Sequence, residues 1–262
     1  MKRRSFVKAS LTGGAAILAA GVQAATGAKK ENAEYYELRT YILKDSAQQQ
    51  LVEDYYKNAA IPALNRLGVK RVGVFTELKP TGQTKLLVLV PYNGLDHFTK
   101  VSAALEGDTV YQQAGAAYLQ APATAPAYER IESSLLRAFA HMPHMEAPAA
   151  TPRIFELRQY QSPAESAGQK KIEMFNDKGE IDIFKRLGFK PVFFAETVIG
   201  AARPNLTYMI TFDDMAGHDA HWKAFGSDPE WKKTSAIPEY ADVLIISKIV
   251  STFIVPTDYS QV

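Results

Sequence analysis

Residues 36–43 alternate between two sets of side chains, which is the pattern of a β-strand. One face carries Tyr36, Leu38, Thr40 and Ile42, and the other carries Glu37, Arg39, Tyr41 and Leu43. Apolar residues then recur at helical spacing over residues 47–67, and Gly68 stands where a left-handed cap would end a helix. Pro62 lies inside that stretch, so we expect a kink there or the start of a second short turn.

The remaining pattern completes a unit of β-α-β-β-α-β order, which is the order of a ferredoxin-like fold. Apolar runs bounded by turn residues predict a hairpin of two strands, helical spacing predicts a second helix, and a final alternating run predicts the last strand. These elements span residues 72–77, 86–91, 95–105 and 128–139. A sheet of this kind has both helices on one face and leaves its other face open.

The chain repeats this pattern at a shift of 119 or 120 residues. Three segments recur in register: YELRTY at 36–41 as FELRQY at 155–160, RLGVK at 66–70 as RLGFK at 186–190, and the apolar run 86–92 as 206–212. Three landmarks in one register indicate a duplication. The second copy therefore predicts a helix that ends at Gly188, strands over 192–198 and 206–212, a helix over 218–225 and a strand over 244–254.

The duplication predicts an α+β fold in which two tandem ferredoxin-like (βαββαβ) repeats pack sheet to sheet as a barrel within one chain. We expect the repeats at residues 34–139 and 153–255, joined by a Pro- and Ala-rich linker at 140–152. The packed open faces would enclose a space. Positions covered by helices should be apolar, as at Leu38, Ile42 and Leu157. We therefore expect the alternate residues to face the space: Glu37, Arg39, Tyr41, Glu156, Arg158 and Tyr160.

The first 28 residues have the order of a twin-arginine signal peptide. Arg3 and Arg4 precede an aromatic, an aliphatic and a basic residue, and a mild Ala- and Gly-rich segment follows. Cleavage is expected near Ala24 or Ala28. The segment is too short and too weakly apolar for a permanent membrane span; an N-terminal helix or anchor that stays attached is the alternative. We therefore expect an exported, periplasmic protein.

Composition narrows the function classes. Lys and Arg outnumber Asp and Glu by 30 to 28, and four of the bases lie in the first eight residues, so the rest of the chain is close to neutral. The sequence has no basic run with interleaved aromatic residues, and nucleic acid is not an expected partner. It also has no cysteine, which excludes disulfides, thiolate nucleophiles and iron–sulfur clusters.

Three motifs together resemble NIPSNAP domains: the strand 37–41 that opens a repeat, the step at 67–68 into the next strand, and the segment 228–231 after a helix. The resemblance covers nearly all of the chain after the signal segment. It implies the dimeric α/β-barrel superfamily, which also contains small monooxygenases, haem-degrading enzymes, chlorite dismutases and stress-induced barrel proteins. It implies a fold rather than one chemistry. The first copy departs from the pattern where residues 107–111 (GDTVY) stand opposite 227–231 (SDPEW).

Two Glu-Arg pairs are candidates for chemistry, because residues two apart on a strand share a face. An arginine held by glutamate beside a tyrosine hydroxyl can bind a carboxylate or polarise an enolate. The ligand-binding candidates are Arg39, Tyr41, Glu156, Arg158 and Tyr160, and the catalytic candidates are Glu37, Arg39, Tyr41 and His97. The structural alternative, which we favour, is a buried ion pair that sets the register between the sheets.

His218 and His221 lie three residues apart on a predicted helix and are weak candidates for metal ligands, because no third ligand is evident. The favoured interpretation is a helix start capped by Asp213 and Asp214, with solvated histidines. We predict no metal and no cofactor. His97 lies on the corresponding helix of the first copy and would act as a general base only if that helix borders the enclosed space.

The sequence contains no phosphate-binding Gly-rich loop, no G-x-S-x-G elbow and no H-E-x-x-H motif, which argues against nucleotide-dependent enzymes, α/β-hydrolases and zincins. Two functions remain open: a binding or assembly module, or a cofactor-free, oxygenase- or isomerase-like enzyme that uses the barrel cavity. Expected partners are a small apolar or carboxylated ligand and, as an open alternative, further copies of the chain. A cavity of at least about 300 Å³ reached by the polar candidates would favour the enzyme.

Overall fold

The computed structural model describes residues 33–80, 82–149, 151 and 153–262. The predicted signal segment lies outside these residues. Both repeats belong to one compact unit, Glu31–Val262. Among the described residues, no helix is long and apolar enough to cross a bilayer.

Each repeat contributes four strands to a single antiparallel sheet. The first repeat forms β1 (Tyr35–Leu43), β2 (Gly73–Glu77), β3 (Thr84–Tyr92) and β4 (Arg130–Ala138). The second forms β5 (Ile154–Gln161), β6 (Lys190–Ile199), β7 (Asn205–Phe212) and β8 (Lys248–Pro256). The sheet closes into a barrel in the order β1-β3-β2-β8-β5-β7-β6-β4. Each half keeps the strand order of a ferredoxin-like unit, so the predicted fold class is confirmed.

Two short seams join the halves of the barrel. β2 pairs with β8 along Phe75–Glu77, and β4 pairs with β6 along Leu135–Ala138, with an irregularity at Leu135/Leu136. Within a half, by contrast, β1 pairs with β3 along its whole length. Closure between the repeats therefore rests on fewer backbone hydrogen bonds than the pairing inside either repeat.

The helices pack on the outside of the barrel. In the first repeat they are α1 (Ser46–Tyr55), a π-helical turn (Tyr56–Ala60), α2 (Ile61–Arg66), α3 (Leu95–Gly107), α4 (Thr109–Ala114) and α5 (Ala116–Leu119). In the second they are α6 (Glu165–Asp177), α7 (Glu180–Arg186), α8 (Met215–Ser227), α9 (Pro229–Ser235), a 3₁₀ turn (Pro238–Tyr240) and α10 (Asp242–Ile245).

The helix breaks follow from local sequence. Pro62 falls in the first turn of α2, directly after the π-helical turn, and its missing amide hydrogen interrupts the hydrogen-bond ladder. The expected break at Pro62 is confirmed. Gly68 and Gly188 both adopt a φ of +86° just after α2 and α7, where glycine avoids the steric cost of the left-handed region. Both predicted caps are confirmed.

The last strand of the second repeat begins later than predicted. Residues 244 and 245 belong to the short helix α10, and β8 starts at Lys248. The buried side chain of Ile245 packs against Met174 and Tyr240 outside the barrel rather than within the sheet. A short apolar run is compatible with a buried helix and with a buried strand, so the sequence pattern does not distinguish the two.

The side chains that fill the barrel form one apolar cluster drawn from all eight described strands, and such residues can meet only in the interior. Tyr36, Leu38, Phe155 and Leu157 belong to it. Tyr41, on the other face of β1, packs instead with the helices of its repeat. The prediction that Glu37, Arg39, Tyr41, Glu156, Arg158 and Tyr160 face the enclosed space was therefore wrong. Both faces of β1 and β5 are covered, so apolar character does not identify the helix side.

Candidate functional site

Glu37 and Arg39 form an ion pair on the outer face of β1, beneath the helices. Arg39 donates from Nε to Glu37 Oε1 at 2.6 Å and from Nη2 to Oε2 at 2.9 Å. Oε1 also accepts from Ser133 of β4 at 2.9 Å, and Oε2 accepts from Tyr92 of β3 at 3.4 Å. Both carboxylate oxygens are therefore engaged. We call these four residues the first cluster.

A chain of tyrosine hydroxyls leads from the first cluster into the helices. Arg39 Nη1 donates to the Tyr56 hydroxyl at 3.4 Å, and the hydroxyls of Tyr56 and Tyr41 are 2.8 Å apart. The Tyr41 hydroxyl lies 3.0 Å from that of Tyr118. Burial raises the pKa of Tyr56 and of Tyr41, so both phenols stay neutral. Tyr41, a predicted ligand-binding residue, is fully buried within this network.

Glu156 of β5 holds the equivalent place in the second repeat and is 1% exposed. Its Oε1 accepts from Arg158 Nη1 at 2.8 Å and from Ser251 of β8 at 2.6 Å. Its Oε2 accepts from Trp222 Nε1 of α8 at 3.1 Å, and His218 Nε2 lies 3.3 Å from the same oxygen. We call these five residues the second cluster.

The two clusters share a glutamate, an arginine two residues later and a serine from the last strand, but they differ in the helix above them. The register of the repeats places Phe98 and Ser102 of α3 opposite His218 and Trp222 of α8. The indole of Trp222 lies 4.4 Å from the guanidinium carbon of Arg158, a cation–π contact. The second cluster therefore contacts α8 directly through Trp222. The equivalent positions of α3 carry neither an indole nor an imidazole.

Two predicted ligand-binding residues complete the surroundings of the second cluster. Arg158 Nη2 donates to the Tyr160 hydroxyl at 3.2 Å, and Tyr208 donates to Tyr160 at 3.0 Å. Burial raises the pKa of Tyr208, which keeps it a donor. Arg158 Nε and His218 Nε2 are buried without a hydrogen-bond partner. Arg158 and Tyr160 thus serve the packing of the second repeat and do not line the barrel interior.

A buried ion pair that the sequence did not suggest lies nearby. Lys171 of α6 and Glu180 of α7 are each 2% exposed, with Nζ 3.0 Å from Oε2. The ammonium lies 5.0 to 5.4 Å from the ring centres of Phe175, Trp231 and Tyr160. Burial raises the pKa of Glu180, and Lys171 opposes that shift. No periodicity distinguishes such a lysine from an exposed one on the same helix.

His97, the general-base candidate, uses both ring nitrogens structurally. Its Nδ1 accepts from the Asn93 amide at 3.2 Å, so Nε2 carries the hydrogen and donates to the Leu67 carbonyl at 3.1 Å. The ring lines a surface pocket of about 540 Å³ at the start of α3. This arrangement fastens α3 to the end of α2 and leaves no ring nitrogen free to accept a substrate proton.

His218 and His221 diverge to different partners. His218 is 13% exposed at its side chain, with Nδ1 2.8 Å from Asp219, while His221 Nδ1 donates to the Gly217 carbonyl at 2.6 Å. The interpretation of His218 as solvated was wrong, because its ring packs 5.0 Å from Phe212. Asp214 caps α8 as expected, accepting from Gly217 at 2.7 Å. Within the described part of the chain, no group of three or more metal-ligating side chains forms a metal site.

One end of the barrel interior is open and forms a recess of about 540 Å³. Its floor is apolar and meets the buried core, whereas its wall is polar and includes charged residues. The floor is made by Leu38, Leu87 and Leu157, and the wall by Thr40, Glu77, Lys85, Glu132, Ser134, Gln159, Thr207 and Thr252. Among the residues described, none of the predicted site residues lines this recess. We call it the barrel recess.

Sequence reasoning did not identify the wall of the barrel recess. Glu77 and Lys85 lie at the ends of apolar strands and Glu132 lies in a strand without strict alternation, so the pattern gives no direct signal for these residues. They share the interior with Leu38 and Thr40, the face of β1 opposite to the predicted one. The correct face would have followed from the apolar set shared by all strands, since a barrel core must be contributed by every strand.

The geometry defines a class: a two-repeat α+β barrel with helices outside, an apolar core and one open end. The NIPSNAP family model matches residues 36–143 and 155–261, and the chain belongs to the NIPSNAP family. No curated protein shows significant sequence similarity to it. The family assignment suggested by the strand and turn motifs is confirmed.

Solved structures share this architecture at low sequence identity. A putative monooxygenase of Fusobacterium nucleatum has 11% identity and a TM-score of 0.56, covering 86% of this chain and 92% of that one. A putative monooxygenase of Lactobacillus acidophilus has 8% identity and a TM-score of 0.58, covering 86% and 94%. A NIPSNAP family protein of unknown function from Agrobacterium tumefaciens has 18% identity and a TM-score of 0.36, covering 44% and 94%. The first two likenesses show the fold.

Proposed function

We propose that the chain is an exported binding protein that holds a small molecule in the barrel recess. The recess, about 540 Å³ in volume, carries the proposal, because sites for small molecules commonly occupy about 300–1,000 Å³. An apolar floor can bury the body of a ligand while polar groups on the wall fix its orientation. Leu38 and Leu157 provide such a floor, and Thr207 and Gln159 such a wall.

The alternative, a cofactor-free enzyme, has less support in the geometry. Glu37 is saturated by Arg39, Ser133 and Tyr92, and His97 has both ring nitrogens engaged. A general base needs a free acceptor within reach of its substrate. None of the catalytic candidates lines the barrel recess, and the pocket of similar volume at the start of α3 contains only His97 among them, with both ring nitrogens engaged. The likeness to proteins described as monooxygenases extends to the fold and, at such identities, carries no chemistry.

Export is part of the proposal and rests on the twin-arginine pattern at residues 3 and 4. Arg3→Lys combined with Arg4→Lys should retain the chain in the cytoplasm, because both arginines are read by the export machinery. Cell fractionation followed by immunoblotting measures the distribution. An unchanged periplasmic fraction would contradict this route of export.

The binding role is tested by native mass spectrometry of the chain purified from the periplasm. We expect a copurifying small molecule, which Ala201→Trp should remove because Ala201 is an exposed residue at the rim of the barrel recess. The matched control is Ala104→Trp, which adds the same side chain at an exposed position of α3. Wild-type protein without additional mass, or equal retention by both variants, would argue against the recess as the binding site.

A further inference from the structure

Glu77 contributes a carboxylate to the wall of the barrel recess. It is the last residue of β2, and its side chain is 11% exposed. Its Oε2 is buried and has no hydrogen-bond partner. Its Oε1 lies 3.8 Å from Lys85 Nζ on the neighbouring strand β3. Among the described residues, the protein therefore supplies Glu77 with no hydrogen-bond donor, and the carboxylate keeps its capacity to accept.

Lys85 does not supply that donor. A separation of 3.8 Å exceeds a hydrogen-bond distance, and the Lys85 side chain is 39% exposed, so its ammonium is largely solvated. The pair is therefore a loose ion pair in which the more deeply buried member is the glutamate. Its Oε1, the oxygen beside Lys85, is the one that can accept a hydrogen bond from a donor bound in the recess.

The other residues that line the recess also favour a ligand that donates hydrogen bonds. Glu132 adds a second carboxylate, so the acids in the wall outnumber Lys85. The hydroxyls of Thr40, Thr207 and Thr252 can accept as well as donate hydrogen bonds. The charged side chains of the lining, two carboxylates and one ammonium, carry a net negative charge, which favours a cation over an anion.

From these groups we infer that the barrel recess selects an organic molecule with a protonated primary amine and a short apolar body. The inference rests on the proposed binding function and specifies its ligand class. The ammonium donates to Glu77, and the apolar part lies on Leu38, Leu87 and Leu157. An ammonium has three donor hydrogens, so it can also reach a neighbouring threonine hydroxyl. A carboxylated ligand would face Glu77 and Glu132 without a buried cation to compensate.

Three probes of equal length test the ligand class: hexylamine, hexanoate and hexanol. Saturation-transfer NMR and titration calorimetry on the full chain, purified and dialysed, measure their binding. We expect hexylamine to bind and hexanoate not to bind. Glu77→Gln keeps the shape of the side chain but removes its charge. It should weaken the affinity for hexylamine about tenfold or more. Glu106→Gln, on the exposed face of α3, is the matched control and should leave affinity unchanged.

Lys85→Met provides a second variant that acts in the opposite direction. It removes a competing cation beside Glu77 and should tighten hexylamine binding while Glu77→Gln weakens it. Hexanoate that binds and is lost in Lys85→Met would overturn the amine assignment, as would hexylamine binding that is indifferent to Glu77→Gln. If Ala201→Trp still removes a copurifying molecule in that case, the binding function stands and the ligand class alone fails.

Discussion

Trp222 joins α8 to the buried carboxylate of Glu156. Its indole nitrogen donates at 3.1 Å to Glu156 Oε2, and its ring covers the Arg158 guanidinium at 4.4 Å. The same position in the first repeat is Ser102, an exposed residue. The two repeats therefore stabilise the same ion pair by different means, which makes their contributions to stability separable.

Replacing Trp222 with phenylalanine should destabilise the fold by about 1–3 kcal/mol. Phenylalanine keeps a ring near Arg158 but removes the donor to a buried carboxylate oxygen. Urea unfolding measures the change, and Ser102→Ala serves as the control, with an expected effect within about 0.5 kcal/mol. Equal unfolding midpoints for wild type and Trp222→Phe would contradict the role of the indole donor.

Glu156 should contribute more to the stability of the fold than Glu37. Glu156→Gln leaves Arg158, 17% exposed, without its counter-charge and should cost about 3–5 kcal/mol. Glu37→Gln should cost less, because Arg39 is 30% exposed and can be hydrated in the variant. Chemical denaturation of both variants under one condition tests the order. A larger loss for Glu37→Gln would show that the exposure of the arginine does not govern the penalty.

Breaking the Lys171–Glu180 pair should cost more than replacing it. Lys171→Met leaves Glu180 buried and unpaired, with an expected loss of about 3–5 kcal/mol. Lys171→Met with Glu180→Leu should recover most of that loss, because the first repeat has the apolar residues Val52 and Ala60 at the equivalent positions and buries both. Thermal and urea unfolding of the single and double variants form the cycle. A double variant as unstable as the single one contradicts this interpretation.

Glu180 should also make stability depend on pH. Burial raises its pKa above the ordinary value of 4.5, so the folded state holds the proton more tightly than the unfolded state. The stability it contributes is present below the ordinary value and is lost as the pH rises through the folded pKa. The difference in unfolding free energy between wild type and Glu180→Gln should therefore fall as the pH is raised from acid towards neutral. A constant difference would contradict the shift.

The two helix-capping glycines offer a matched pair. Both have a φ of +86°, so alanine at either position costs about 1–2 kcal/mol in backbone strain. A Cβ on Gly188 would also lie 2.9 Å from His221 Nε2, whereas on Gly68 the nearest atom is His97 Nε2 at 3.9 Å. Gly188→Ala should therefore be the more destabilising, as measured by thermal unfolding. Equal effects would mean that His221 moves aside freely.

The fold could be predicted because the duplication supplied long-range information that a single repeat lacks. The recurrence of residues 36–41 as 155–160 fixed the element order twice and implied two open sheet faces that cover each other. Gly68 and Pro62 marked real helix boundaries because each imposes a backbone constraint that does not depend on tertiary context.

The site could not be predicted from alternation alone. In a barrel with an outer helix layer both faces of β1 are buried. Glu37 and Arg39 form an ion pair with each other beneath the helices. The residues that line the recess, such as Glu77 and Lys85, look like ordinary strand-end charges in the sequence. They line a cavity only because this end of the barrel is not filled by side chains. Which end is left open depends on the packing of all eight described strands together.

The closed order of the described strands gives the molecule a sheet without edges. A neighbouring polypeptide therefore finds no edge strand that is unpaired along its whole length; one-sided pairing is confined to the ends of strands at the two seams. Because both halves belong to one chain, closing the ring is also a unimolecular event that dilution does not reverse. Extension of the sheet by a second copy would therefore be limited to these two seams.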